Sequence, residues 1–590
     1  MATRHDPVGW QLSAICCNLP PLKTRLFIAL LITVGTCAYL NSFRGFFLLD
    51  DWGNIVRNPT IRHLWPVGQA LSPPTGTGFT VEGRPLVNFS FAMNYALHGT
   101  DVRGYHVLNL VIHLLAGLTL FGIVHRTLPR PVFSRRVRVA ALPLAFSTAV
   151  IWVVHPLQTE SVTYISQRAE STMGLFYLLT LYCAIRGADS DQRSVWCVLS
   201  VVCCLLGDAT KEVIVSAPLI VFLYDRTFLF GSFREAWQQR WRLYSALAAT
   251  WILLGYLVIS TGNRGGSAGL GTHIQWRAYA LTQLWAVPHY LRLSFWPDPL
   301  VFDYGMNLRN NIAQILPGAL IVAGMLLGTA IMLRRWPMSA FLGAWFLLIL
   351  APTSSVLPVA TQTVAEHRMY LPLAAVIAMV VVGGYASAPR LMSHRQQPII
   401  VSIVSVGLIV LLTTVTIRRN QDYMSELRIW QDTVSKCPDN PRAYYNLGVG
   451  FSRKGQFNEE IHCYEQALRI KPDYAEAHYN LGVTLVQLGE LQDAARHFEV
   501  SLRVWPEHAE AQNNLGVVLM RLGKPGDAIP HFEESLRLWP GNAEANCNLG
   551  HALAQTGDVA DAIRYYERAL RFNPDYVPAR RSLERLRAGH

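Results

Sequence analysis

The chain reads as all-α and as two parts, a polytopic helical membrane domain followed by an α-solenoid. Three observations predict this: apolar segments fill residues 26 to about 418, the chain turns polar beyond them, and from Pro438 it repeats every 34 residues. Of 590 residues, 51% are apolar and only 15% charged, whereas an ordinary soluble domain carries about 25% charge. The net charge of +12 points to membrane topology rather than nucleic acid, because arginines cluster in short loops between apolar spans. None of the ten cysteines lies in a Cys-x-x-Cys pair, so they read as small buried hydrophobes rather than zinc or redox sites. In the polar part, Cys437 and Cys463 are the pair whose meeting the sequence leaves open.

Residues 1–25 form an inner tail, and the run 26–43 is an uncleaved first span, since no small-x-small cleavage site precedes Arg44. Further candidate spans are 105–125, 139–155, 170–187, 194–208, 212–230, 243–262, 312–333, 338–357, 369–388 and 398–417, so the membrane domain occupies 26–420 with about eleven crossings. Arg126, Arg130, Arg135, Arg136 and Arg138 follow the second span without an acid among them and mark the inner side, as do Arg334-Arg335 and Arg390/Arg395. Segment 275–298, with Pro288, Pro297 and three tryptophans, suits an interfacial or re-entrant piece; the pair Arg418-Arg419 then dissents by falling outside. This parity puts loop 44–104 and the C-terminal part on the outer side. In that loop Gly83-Arg84-Pro85-Leu86 opens a helix-period stretch whose Asn88-Phe89-Ser90 matches the glycosylation pattern by chance.

Two adjacent carboxylates, Asp50 and Asp51, follow the apolar run Phe46-Phe47-Leu48-Leu49 where a helix leaves the membrane, and ionisable groups at such a depth are functional candidates. His155 through Glu160, Gln167-Arg168-Ala169-Glu170, Asp208 through Lys211-Glu212, and Glu366-His367-Arg368-Met369-Tyr370 fall on the same side. Arginine forks and a lysine point charge suit an anionic head group, so His155, Arg168, Lys211 and Arg368 are candidate phosphate ligands. Glu160, Glu212, Glu366, His367 and Tyr370 are candidate supports. The competing reading makes these charges helix-end anchors and local pairs, Lys211 with Glu212 and Arg168 with Glu170.

In the polar part, prolines at 438, 472, 506, 540 and 574 share one 34-residue phase with Leu-Gly at 447–448, 481–482, 515–516 and 549–550 and turn glycines at 455, 489, 523 and 557. This is the tetratricopeptide (TPR) signature, a two-helix unit whose small positions let helices close-pack. A connecting half-repeat helix (421–440) leads into four repeats (441–576) and a capping helix (577–590). Asn446, Asn480, Asn514 and Asn548 precede the Leu-Gly pairs and form a ladder of amides suited to an extended peptide backbone; solvated amides are the plainer alternative.

Together, Leu49-Asp50-Asp51 with Arg57-Asn58-Pro59, Gly83-Arg84-Pro85-Leu86, Tyr105 through Asn109 with His113, His155-Pro156 through Glu170, Thr210-Lys211-Glu212 through Asp225, and Glu366 through Pro372 resemble the transmembrane and TPR O-mannosyltransferases and their bacterial relatives. The resemblance implies a membrane-embedded glycosyltransferase of the C-type fold, a polyprenyl- or dolichyl-phosphate sugar donor, and a protein hydroxyl as acceptor. It implies Asp50 or Asp51 as general base and Arg168, Lys211 or Arg368 as stabilisers of the leaving phosphate. No cofactor is implied with certainty, and a divalent metal at Asp50/Asp51 stays open. The compartment follows the source: bacterial inner membrane with loop and repeats in the periplasm, or endoplasmic reticulum with repeats in the lumen. A non-catalytic TPR scaffold is the alternative function, and a transporter is disfavoured because no matched pair of interrupted helices lies at mid-depth.

Overall fold

The structure is a computed structural model that describes residues 21–262, 275–306, 308–309, 311–354, 362–388 and 396–588. The expected basic pair Arg390/Arg395 and two of the cysteines, Cys16 and Cys17, lie outside the described residues. The described chain is all helix and loop and divides into two compact units, Met1–Ile429 and Trp430–His590.

In the first unit, six helices among the described residues are long and apolar enough to cross a bilayer: Leu22–Arg44, Val102–Thr127, Glu212–Phe230, Phe233–Ser260, Ile312–Arg335 and Ile399–Asp422. The expected span 139–155 is broken, because Ala141–Val153 and Pro156–Thr163 meet at 54°. Pro156 cannot donate a backbone hydrogen bond, and residue 155 before it is driven to extended backbone. Pro337–Leu350 and Pro372–Ser387 are shorter apolar helices, and Arg193–Asp208 has 16 residues. Arg168–Asp189 turns most of its residues into the protein interior. Length and composition therefore single out fewer than eleven spans, and the extra helices pack as half-length or interior pieces. Segment 275–298 forms a helix, Trp276–Phe295, that keeps Pro288 inside it and buries Tyr279, Ala286 and Tyr290.

Outer loop 44–104 has its own core. Phe47, Ile55, Ile61, Val81, Val87 and Phe91 pack with Tyr105, and Pro85–His98 is helical, started by a proline at its first position, where the missing N–H costs nothing. Asn88 is buried there; its amide donates to Thr60 and to the Ala70 carbonyl and accepts from Asn58, leaving no face for a glycan. Asp225 accepts from Arg240 at 2.7 Å and from the Tyr244 hydroxyl at 2.6 Å, a fully buried pair whose carboxylate keeps its charge compensated.

The second unit is four antiparallel helix pairs, Pro441–Ser452 with Phe457–Ile470, Ala475–Leu488 with Leu491–Val504, Ala509–Arg521 with Pro525–Leu538, and Ala543–Thr556 with Val559–Phe572. Val577–Ala588 closes the array. Each pair turns on a glycine with left-handed backbone, such as Gly489 at φ 87°. Within each pair the Leu-Gly glycine makes room for an aromatic ring: a Cβ on Gly516 would sit 2.6 Å from Cε1 of buried Phe532. Cys437 and Cys463 are not joined in a disulfide.

Gly516→Ala is expected to lower solenoid stability by about 1–2 kcal/mol, because the ring must shift within a packed core and this outweighs the helix-propensity gain. Urea unfolding of the full-length protein in detergent, followed by limited proteolysis of the repeats, checks this. An unchanged or raised midpoint would show that Phe532 gives way freely.

Candidate active site

The site begins where the first helix ends. Burying Phe47 and Leu48 while turning the chain outward forces Leu49 to φ 36°, the single non-glycine residue with positive φ among those described. The two carboxylates that follow go separate ways. Asp50 is exposed, and its N–H donates to the Tyr164 hydroxyl at 3.1 Å. That hydroxyl also hydrogen-bonds the Asp50 carboxyl, and burial pushes the phenol well above its ordinary range, so it stays a donor.

Asp51 is buried. One of its oxygens accepts the Leu48 N–H at 2.9 Å while its own N–H returns to the Leu48 carbonyl at 2.7 Å. The other oxygen accepts the Ser166 N–H at 2.8 Å and the Ser166 hydroxyl. Asn54 donates to the same hydroxyl at 2.9 Å and accepts from the Val81 N–H, so Asp51 is the hub that pins the outer loop to the turn before Arg168. Burial pushes the Asp51 carboxyl up to about 7, against the pull of these donors toward the ionised form. With both oxygens taken by N–H and O–H donors, the pair does not make a two-carboxylate clamp, and the residues present do not fit a divalent metal there.

Four chain-distant loops do converge. Glu160 accepts from the His367 N–H at 2.9 Å and ring Nδ1 at 2.7 Å. Burial, with Lys211, Arg368 and Arg84 nearby, holds His367 well below its usual range, so this contact is a hydrogen bond to a neutral imidazole. Lys211 pairs with Glu170 at 2.6 Å, across loops rather than with its neighbour as the local-pair reading expected. The Leu86 N–H bonds the Ala209 carbonyl, tying the outer-loop helix to the Lys211 loop. Glu366 accepts from the Val301 N–H at 2.6 Å and the Tyr304 hydroxyl at 2.9 Å, and burial raises it to about 7. Glu212 is half-buried beside this layer.

The candidate phosphate ligands are committed to protein acceptors in this arrangement. Arg168 is buried and donates to Asn109, Ser90 and the Tyr105 carbonyl, with its guanidinium 4.7 Å over the Phe91 ring, making it a strut between the outer loop and helix Val102–Thr127. Arg368 donates to Tyr279 at 3.2 Å and to the Thr363 and Gln362 carbonyls at 3.1 and 2.6 Å. His155 lies against the Ser294 carbonyl and accepts the Leu157 N–H, which caps the short turn after the break. Tyr370 reaches His113 at 3.0 Å, and its carbonyl accepts from Trp152. Tyr164, Ser166 and Tyr304 join the site without a signal in the sequence. Tyr164 and Ser166 lie inside a stretch already singled out, but a hydroxyl carries no spacing signature. An edge-to-face chain runs from Tyr164 to Phe302 (5.3 Å) and on to Tyr423 (5.6 Å), whose ring lies under Arg419.

In the repeat unit the four asparagines are half-buried, and their amide nitrogens are used within the array. Asn480 donates to Tyr445, Asn514 to Tyr479 and Asn548 to Asn513, each 35 residues back, while Asn446 donates to the Arg442 carbonyl. The solvated-amide reading thus gives way to rungs between neighbouring repeats.

Residues 479–542 and 513–577 match a tetratricopeptide-repeat family model, and 450–489 match a TPR-repeat model. Over the longer chain, the protein O-mannosyl-transferase F38B6.6 of Caenorhabditis elegans is 26% identical over 444 residues, 71% of this chain and 59% of that protein. The human protein O-mannosyl-transferase TMTC4 is 25% identical over 492 residues, 74% of this chain and 65% of its own. Mouse TMTC1 reaches 33% over 180 residues, 29% of this chain and 18% of its own. Among solved structures, a crystal structure of MamA is 24% identical over 26% of this chain and 82% of its own, with a TM-score of 0.24. The chain spans less than two thirds of the length of the first two relatives. Its relatives are thus the TMTC-type protein O-mannosyl-transferases, the family whose motifs it resembles, and it is an integral membrane protein.

Asp51→Asn is expected to loosen the outer loop, since an acceptor of two backbone N–H groups becomes partly a donor, at about 1–3 kcal/mol. Tryptic cleavage after Arg57 should come earlier in the variant. In the wild type, the folded loop holds between about pH 4 and 7 a proton that the unfolded loop releases, so stability falls as pH rises through that window. Rate-corrected hydrogen exchange of residues 46–58 should show this slope, and Asp51→Asn should lack it.

Proposed function

We propose that this protein is a membrane glycosyltransferase that moves a mannose-like sugar from a polyprenyl- or dolichyl-phosphate donor to serine or threonine hydroxyls of a protein. The observation that carries the reading is the division of labour in the acidic pair: Asp51 is committed to holding the loop, while its neighbour Asp50 stands exposed with a tyrosine hydroxyl fixing it. Relatives named as protein O-mannosyl-transferases support the reaction class.

In this reading Asp50 is the general base. Its carboxylate takes the proton of the acceptor hydroxyl as that oxygen attacks the anomeric carbon; the bond from that carbon to the phosphate oxygen breaks, the electron pair leaves with the phosphate, and the configuration inverts. Tyr164 is a positioning residue that holds Asp50 through its backbone and carboxyl. Lys211 and Arg368 sit in a buried layer with Glu160, Glu170 and Glu366, and their charge favours negative charge developing on the departing phosphate. Arg168 and His155 hold the scaffold rather than the lipid. In this reading the repeats supply the acceptor site, with Asn446, Asn480, Asn514 and Asn548 as the candidate peptide contacts. The loop and the repeats, in this reading, face the same compartment, so that lipid-borne sugar and acceptor can meet.

Asp50→Asn is expected to lower transfer in proteoliposomes by about 10²–10⁴-fold with little change in thermal stability. Tyr164→Phe should shift the pH profile of transfer rather than abolish it. Full activity in Asp50→Asn would remove the base assignment, and protection of the repeats from protease added outside would remove the shared compartment.

A further inference from the structure

An apolar groove of about 290 Å³ lies on the membrane unit away from the acidic pair, between helix Val102–Thr127, helix Pro337–Leu350 and the stretch from Pro372 to Ser387. Leu120, Val124, Phe341, Trp345, Ala375 and Ala378 line it, and small alanines on one wall leave the space open. The polar groups at its edge are already paired: Thr127 bonds the Tyr224 hydroxyl at 2.8 Å, and Arg130 is neutralised by Asp189 at 2.9 Å. Nothing in the lining asks for a polar ligand.

At one mouth of the groove runs the short helix Arg135–Val139. Phe133 and Val137 turn into the groove, and Arg135, Arg136 and Arg138 alternate with them. Arg135 and Arg138 are exposed, and Arg136 lies 5.4 Å over the Tyr385 ring, on the stretch that forms the groove wall. None of the three makes an ion pair with another described residue, in contrast to Arg130 beside them. Three guanidinium groups with no ion pair among the described residues, beside a hydrocarbon slot, match a molecule with an anionic phosphate at one end and an alkyl chain at the other.

We infer that this groove is a binding site for one anionic glycerophospholipid of the leaflet on the basic side. One acyl chain fills the slot against Trp345 and Ala378, and the head-group phosphate sits among Arg135, Arg136 and Arg138. A polyprenyl phosphate shares this chemistry, but the acidic pair lies elsewhere on the unit, so the sugar donor has no reason to enter here.

The test uses full-length protein in micelles containing equimolar phosphatidylglycerol and phosphatidylcholine, with retained lipid identified by native mass spectrometry. The expected result is one retained phosphatidylglycerol, preferred about ten-fold or more over phosphatidylcholine. The triple variant R135Q/R136Q/R138Q, altered at side chains that make no ion pair among the described residues, should lose that preference. A phosphatidylglycerol carrying a photoreactive acyl chain should label residues 338–345 or 374–386 in the wild type. Equal retention of the two lipids, an unchanged preference in the triple variant, or labelling confined to other helices would overturn the inference. Displacement of phosphatidylglycerol by undecaprenyl phosphate at equal or lower concentration would overturn it too, by making the prenyl lipid the occupant.

Discussion

The joint between loop 44–104 and the turn before Arg168 leans on one buried carboxylate. Asp51 takes donors from Leu48 on its own turn and from Ser166, 115 residues later, so a single side chain joins the exit of the first helix to the turn that starts the Arg168 helix. Burying a carboxylate is costly unless its lone pairs are occupied, and here the cost is met by groups that must be held still to meet it. The constraint runs both ways: the donors fix the carboxylate, and the carboxylate fixes the donors. Asp50, next in the chain, inherits its place without contributing to the clamp.

The same logic recurs in the layer beneath. Glu160, Glu170 and Glu366 each receive their partners from another loop, as His367, Lys211 and the Val301 and Tyr304 pair. Isolated charges at this depth would favour neutral forms, so each pairing selects one mutual placement of loops far apart in sequence. Arg168 extends this to the outer-loop helix through Ser90 and to the next helix through Asn109 and Tyr105. Rigidity is a property a reaction face needs, because a base misplaced by an ångström loses much of its advantage.

The repeat half was legible almost to the helix, because a 34-residue period with glycine at the close-packing and turn positions allows one solution. The membrane half was legible in its apolar stretches but not in its breaks: a 54° bend at Pro156 and the half-length helix Pro337–Leu350 answer to tertiary packing, which hydropathy does not register. The loops singled out by the sequence do contact one another, through Glu160 with His367, Glu170 with Lys211 and Asp51 with Ser166. The sequence did not separate Asp50 from Asp51, since two neighbouring aspartates look alike until one of them finds Ser166. Nor did it reveal that Lys211 prefers Glu170 over Glu212, because that choice depends on where two helices end in space. Arg168 read as a ligand for the same reason; its forked donors fit phosphate and carbonyls equally well, and only burial says which it meets.

The rungs of the solenoid carry a mechanical consequence. Asn480 to Tyr445, Asn514 to Tyr479 and Asn548 to Asn513 stitch each repeat to the one before. Any guest that takes one of those amides for itself unfastens a stitch, and the small rotation between adjacent repeats is then set partly by the guest. The stitches therefore tie the rotation of each repeat to that of its neighbour, and the array holds one pitch along its length.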